Sequence, residues 1–212
     1  MMTDKEIFDA IRERVGSLNQ AQVDAINAVL HTTPVQPGAI PAALAWGAKV
    51  SPEFRVRARG VATRIGVDPS DFMTCMAWES GRTFSPSIPN KAGSGAIGLI
   101  QFMPTTATGL GTTVKALAVM SAVQQLDWVE KYFAPWKGKL HNLADLYMAI
   151  LWPAAVGKPP EYVLWDQNSR PTTYRQNAGL DMDKDGEITK AECSAKLYAM
   201  KAEGQRSENL AA

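Results

Sequence analysis

The chain has 212 residues, room for one ordinary domain and a small appendage. Apolar residues make up 46% and charged residues 20%, which fits a globular chain with a buried core and excludes a solvated low-complexity polymer. A net charge of +1 gives no general pull toward nucleic acid or an anionic membrane surface, and no apolar run reaches the ~20 residues of a membrane-spanning helix.

Two amphipathic helices are predicted first, over 5–15 and 20–30. Ile7, Ile11 and Val15 form one stripe; Val23, Ile26 and Leu30 form the other. Residues 32–41 (T-T-P-V-Q-P-G-A-I-P) hold three prolines and a glycine and read as a rigid loop or linker. Residues 1–40 are therefore set apart as an N-terminal helical segment, either a separate binding module or part of the core, from a main unit over 41–212. Arg55, Arg57, Arg59 and Arg64 fall around Phe54, Val56, Ala58 and Val61, as on a solvated helix face with packed stems.

The most informative stretch begins at Asp68. Asp68 is a good N-cap, Pro69 suits the first helical position, and Asp71 adds an acid to the first turn. Phe72, Met76 and Glu79 follow at i, i+4 and i+7, with Cys75 beside them, and Gly81 supplies a stop. Glu79 thus continues an apolar stripe in the last helical turn. Desolvation and the negative helix end both disfavour its charge. A carboxyl that stays protonated near neutral pH is what general acid catalysis requires. After it comes a polar, glycine-rich loop, then A-I-G-L-I-Q-F-M-P-T-T-A over 96–107.

Further on, Pro104 fits a helix start. Helices are expected over Lys115–Met120, over Ala122–Phe133 with the stripe Ala122, Leu126, Val129 and Phe133, and over Leu143–Leu151 capped by Asn142. No convincing series of strands is present. Trp128, Trp136, Trp152 and Trp165 read first as large core residues, with one or two available to stack on a sugar.

Residues 181–192 read D-M-D-K-D-G-E-I-T-K-A-E, which matches the calcium loop D-x-D-x-D-G-x-I-x-x-x-E. Asp181, Asp183 and Asp185 would supply carboxylates, Glu187 its backbone carbonyl, Thr189 a hydroxyl or a bound water, and Glu192 both carboxylate oxygens. Gly186 allows the turn and Ile188 points to the core. The preceding segment, with Pro171 and Gly179, reads as a poor incoming helix. A single loop of this kind reads as a structural Ca2+ staple, because calcium switches pair two.

The residues E-S-G-R-T-F-S-P, then G-S-G-A-I-G-L-I-Q-F-M-P, resemble the soluble lytic transglycosylase domain, a branch of the lysozyme superfamily, in the form carried by bacteriophage endolysins. The match is specific over 72–111. It implies a mainly α, lysozyme-like fold and a bacterial peptidoglycan substrate, with Glu79 as catalytic acid/base and with residues 1–40 as either a wall-binding module or part of the core. It also implies that Ser80, Ser94, Gly95, Gly98 and Gln101 line the sugar cleft. One departure stands out. Lytic transglycosylases usually carry a later A-Y-N-x-G motif, whereas residues 146–157 read L-Y-M-A-I-L-W-P-A-A-V-G, which leaves Tyr147 to take the place of its tyrosine.

The expected activity is cleavage of the β-1,4 bond from N-acetylmuramic acid to N-acetylglucosamine, closing a 1,6-anhydro ring and needing no catalytic cofactor. A hydrolase on the same fold is the alternative, with Asp127, Asp145, Glu161 or Asp166 as a second carboxylate. A calcium-binding interaction protein with an inactive lysozyme-like domain is the third reading. The sequence opens on Met1-Met2-Thr3-Asp4-Lys5-Glu6, without an apolar leader. The expectation is therefore synthesis in a host cytoplasm and action on the wall once the membrane is opened. The protein is expected to be a monomer without stable membrane insertion and with no nucleic-acid partner, and Cys75 and Cys193 are read as buried free thiols.

Overall fold

The computed structural model describes residues 43–212; the expectations for 5–15, 20–30, 32–41 and the segment 1–40 lie outside the described residues. Among the described residues, eight α-helices and one two-stranded sheet follow in chain order, so the architecture is mainly α. Among the described residues, no helix is long and apolar enough to cross a membrane.

Helix α1 (Pro52–Ile65) starts at Ser51, whose hydroxyl accepts from Phe54 N at 3.2 Å, and buries Phe54, Ala58, Val61, Ala62 and Ile65. Its arginines meet neighbours. Arg64 forms a two-pronged pair with Glu130 at 2.6 and 2.7 Å, Arg57 pairs with Asp127, and Arg55 donates to the carbonyls of Gly47 and Val50. Helix α2 (Pro69–Glu79) is capped as its sequence predicts, with Asp68 accepting from Asp71 N at 2.9 Å, and it buries every residue from Asp71 to Ala77.

Short helices α3 (Pro104–Gly109) and α4 (Val114–Ala118) lead to α5 (Ala122–Phe133). Ser121 and Gln124 close a reciprocal capping box at the start of α5. Helix α6 (Leu143–Leu151) starts at Asn142, which accepts from Asp145 N at 2.8 Å. Helix α1 packs on α2 and α5, and α2 packs on α6. Phe72 of α2 meets Phe133 of α5 edge-to-face at 6.2 Å.

The remainder corrects two expectations. A small sheet is present: β1 (Val163–Asp166) runs antiparallel to β2 (Glu187–Thr189). The register slips between Val163 and Trp165, so Leu164 and Trp165 are both buried and the alternation that marks a strand is lost. The second correction concerns Pro171. It opens helix α7 (Pro171–Asn177) instead of blocking it, because a proline at the first helical position gives up an N–H that had no partner there.

Helix α8 (Lys190–Gly204) closes the fold against α2 and α6. Arg82 and Glu203 join at 2.6 and 3.0 Å, and Lys201 reaches Asp71 at 2.6 Å. After α8 the chain returns to the start of the described region, with Leu44 N donating to Ala211 O at 2.8 Å. Both cysteines are free and buried, as expected.

Candidate active site and metal loop

Helix α2 ends at Glu79. Its length follows from the Asp68 cap, and its end from the turn Ser80–Phe84, where Gly81, Arg82 and Phe84 all take positive φ. Ser80 makes that turn. It is fully buried, its hydroxyl donates to Met76 O at 2.6 Å, and it accepts from Phe84 N at 3.0 Å. With both roles taken and no exposed surface, Ser80 holds the backbone that presents Glu79; it offers nothing to a ligand.

Glu79 lies among aromatic side chains. Trp78 precedes it and donates its indole N–H to the Tyr147 hydroxyl at 3.3 Å, with the two rings edge-to-face at 6.4 Å. The Glu79 charge is felt by Tyr132, Tyr147 and Cys75. Among the described residues, no ion pair or hydrogen bond reaches the Glu79 carboxyl. Burial alone lifts its pKa from 4.5 to about 8, so it is protonated at neutral pH. Burial, and then the Glu79 charge, also push the Tyr132 phenol up to about 12 and the Tyr147 phenol higher, so both remain neutral hydroxyls. Tyr132 donates to Ala149 O at 2.6 Å, which ties α5 to α6 beside the acid.

The glycine loop is a set of tight turns. Asn90 N donates to Ala96 O at 2.9 Å, Ile97 and Phe102 exchange backbone bonds at 3.2 and 2.8 Å, and Gln101 itself has φ 53°. The Gln101 amide donates to Ile88 O and Gly98 O, both at 3.2 Å, so its nitrogen is anchored while its carbonyl oxygen is left for another donor. Phe102 stacks edge-to-face on Tyr132 at 6.3 Å, which sets the loop against the aromatic wall around Glu79. Gly98 is held by close approach: a Cβ there would lie 2.3 Å from Gln125 Oε1 and 2.8 Å from Pro86 O. Ser94 and Gly95 are exposed on the outer loop, and Ser94 accepts from Ala96 N at 3.3 Å.

Gln125, fully buried on α5, is the organiser that the sequence reading did not single out. It accepts from Leu99 N at 2.8 Å and donates to Pro86 O and Leu117 O, both at 3.0 Å. Its only signal in the sequence is a polar residue next to an apolar stripe. Trp78 and Tyr132 were likewise not picked out. Trp78 adjoins the acid in sequence, but nothing local marks Tyr132.

The carboxylates proposed for a second catalytic role are mostly engaged elsewhere. Asp127 pairs with Arg57. Asp166 closes its own turn by accepting from Asn168 N and Ser169 N at 2.8 and 2.7 Å. Asp145 is buried against Lys190 at 2.5 Å. Glu161 is exposed and takes part in no ion pair among the described residues.

The acidic loop closes on itself. Oxygens of Asp181, Asp183 and Asp185 lie within 4.8 Å of one another. Asp181 accepts from Lys184 N, Gly186 N and the Tyr174 hydroxyl at 2.7, 3.1 and 2.6 Å, and the Tyr174 bond leads the causes that hold its carboxyl below the ordinary range. Glu192 folds back to accept from Met182 N and Thr189 N, each at 2.8 Å. Burial pushes its pKa up, but these bonds outweigh it and the net shift is downward. The Glu187 side chain is exposed, while its N–H donates to Asp185 at 2.8 Å. Gly186, at φ 88°, leaves no room for a Cβ beside Gln167. Ile188 is fully buried and its strand pairs with β1. The donors are all oxygen, which suits a hard divalent cation.

The chain matches no protein-family model and no curated protein.

Proposed function

We propose that this chain is a peptidoglycan-cleaving enzyme of the lytic transglycosylase kind, on a lysozyme-like fold, serving as a bacteriophage endolysin. The observation that carries the reading is a lone protonated carboxyl, Glu79, at the end of α2 beside a glycine loop with an anchored amide, Gln101. The motif resemblance over 72–111 supports it. The engagement of Asp127, Asp145 and Asp166 in other contacts also favours it over a hydrolase, for which Glu161 is the candidate carboxylate with no ion pair among the described residues.

Glu79 donates its proton to the glycosidic oxygen as the C1–O bond breaks. The substrate's acetamido oxygen steadies the electron-poor C1. The Glu79 carboxylate then takes the proton of the muramyl 6-hydroxyl as O6 bonds to C1. The acid is regenerated and no water is consumed. Neutral Tyr132 and Tyr147 keep the surroundings of the acid free of charge, and Gln101 offers its carbonyl oxygen to a sugar donor.

Mass spectrometry of fragments released from purified sacculi tests this. The expected products end in 1,6-anhydromuramic acid and weigh one water less than hydrolysis products. Reducing muramic ends alone would move the assignment to a hydrolase.

The loop at 181–192 is proposed to hold Ca2+ through Asp181, Asp183, Asp185, the Glu187 carbonyl and Glu192. Bound there, the ion would neutralise the clustered carboxylates and pin the start of α8; it takes no part in bond cleavage. A ligand present at about a hundred times its dissociation constant adds roughly 2.7 kcal/mol to the folded state. For a chain of this size that is on the order of 5–10 °C in melting temperature. Chelator is expected to lower the Tm of the wild type by this amount and leave Asp183→Ala unmoved. An identical wild-type melting curve with and without chelator would show the loop to be empty.

A further inference from the structure

From Ser80 to Leu126 the chain carries no acidic residue and three basic ones, Arg82, Lys91 and Lys115. Arg82 is bound to Glu203. Lys91 and Lys115 have no ion-pair partner among the described residues. This unbalanced stretch is the one that forms the glycine loop and everything behind it.

On the outer side of that loop lies a cavity of about 330 Å³ between the loop and α4. Its apolar floor is Ile97, Val114 and Ala118, and its polar groups are Asn90 and Lys115. Asn90 accepts from Ala92 N at 2.9 Å, while its amide N–H groups have no partner among the described residues. The cavity therefore presents hydrogen-bond donors and a cation over a small apolar floor. Its lining segment Gly95 to Ile97 runs in the chain directly into Gly98 and Gln101. Backbone bonds from Asn90 N to Ala96 O and from Gly93 N to Asn90 O, at 2.9 and 3.2 Å, hold that wall in shape.

We propose that this cavity is a subsite for the peptide stem of the wall polymer, with Lys115 and Asn90 receiving a stem carboxylate and the floor receiving an alanine methyl. The proposal rests on the reading of the chain as a peptidoglycan-cleaving enzyme. A glycan alone carries no carboxylate once its lactyl group is in amide linkage, whereas the stems carry several. The cavity is lined by Gly95, Ala96 and Ile97, which lead in the chain to Gly98 and Gln101, so a sugar held at Gln101 would have Lys115 on the far side of the same loop. Lys115 is a specificity-determining residue in this scheme and takes no part in proton transfer.

The test compares kcat/KM on intact sacculi with that on sacculi whose stem carboxylates have been capped as methyl amides, for the wild type, Lys115→Glu and Lys115→Arg. Lys115 is exposed, so both variants are expected to fold. An exposed charge contact is modest, but reversing the charge replaces attraction with repulsion. The ratio of intact to capped sacculus cleavage is expected to fall roughly fivefold in Lys115→Glu, to be kept in Lys115→Arg, and to decline in the wild type as salt rises. A ratio identical in wild type and Lys115→Glu would overturn the subsite while leaving the enzymatic reading in place. A wild-type protein that cuts neither polymer would overturn the enzymatic reading, and the subsite with it.

Discussion

Glu79→Gln is expected to abolish clearing of wall suspensions while leaving the fold intact. Gln matches Glu in size and polarity but has no proton to give, and general acid catalysis contributes on the order of 10²–10⁴-fold. In the proposed mechanism the same carboxyl also serves as the base, so the loss should reach the top of that range or exceed it. The pH dependence follows from the raised pKa of about 8. The working form is protonated, so activity should hold through neutral pH and decline as pH rises past about 8. Stability has the same sign. The folded state keeps a proton that the unfolded chain releases near 4.5, so folding stability falls as pH climbs from there toward 8. Glu79→Gln removes this slope, and its melting temperature should equal or exceed that of the wild type, most clearly at alkaline pH. Turbidity assays across pH, with calorimetry on both proteins, check both parts. Near wild-type clearing by the folded variant would refute the assignment.

The largest expected loss of stability comes from the pair Lys190–Asp145. The two side chains are 5% and 3% exposed and meet at 2.5 Å. Lys190 also donates to Lys158 O at 2.7 Å, and Asp145 accepts from Gly157 N and His141 N at 2.9 and 3.2 Å. Burial pushes the Asp145 carboxyl up, but the Lys190 bond and the two backbone N–H groups outweigh it, so its pKa lies below the usual 3.8. Lys190→Met would leave that carboxylate buried beside an apolar chain, at a cost of about 3–5 kcal/mol. Replacing both members, Lys190→Met with Asp145→Leu, should recover a good part of the loss, because no unpaired charge is left behind. Urea melts of the three proteins measure this, and a single-variant cost below about 1 kcal/mol would refute the view that the pair is tightly coupled. Asp145 stabilises the fold above its unfolded pKa near 3.8, and that contribution fades as pH drops through its lower folded value. The contact matters beyond stability, since Lys190 lies within the acidic loop and Asp145 is two residues from Tyr147 on α6.

Much of this molecule is written locally. Asp68 and Pro69 start α2, the apolar spacing carries it to Glu79, and Asn142 starts α6 at the residue its sequence predicts. The acidic loop was legible for the same reason: its carboxylates, its glycine and Glu192 lie within twelve residues and act on each other. The charge-unfriendly setting of Glu79 could also be read, because an apolar stripe and a helix C-terminus are properties of a single helix. What the neighbours do was decided by tertiary structure. Tyr132 comes to Glu79 from α5, Gln125 locks Leu99 from 26 positions away, and Lys190 finds Asp145 across 45. Strand β1 escaped notice because its bulge cancels the alternation, and it exists only because β2 supplies its partner. Ser80 shows the same division: its place beside the acid was plain from sequence, but its complete burial, which turns it from a ligand contact into a turn-former, was not. A helix cap or an acidic loop of this kind closes its hydrogen bonds within a few residues, so sequence determines it. A buried amide, an ion pair or a strand partner is satisfied only when distant segments pack, and that is settled by the shape of the whole core.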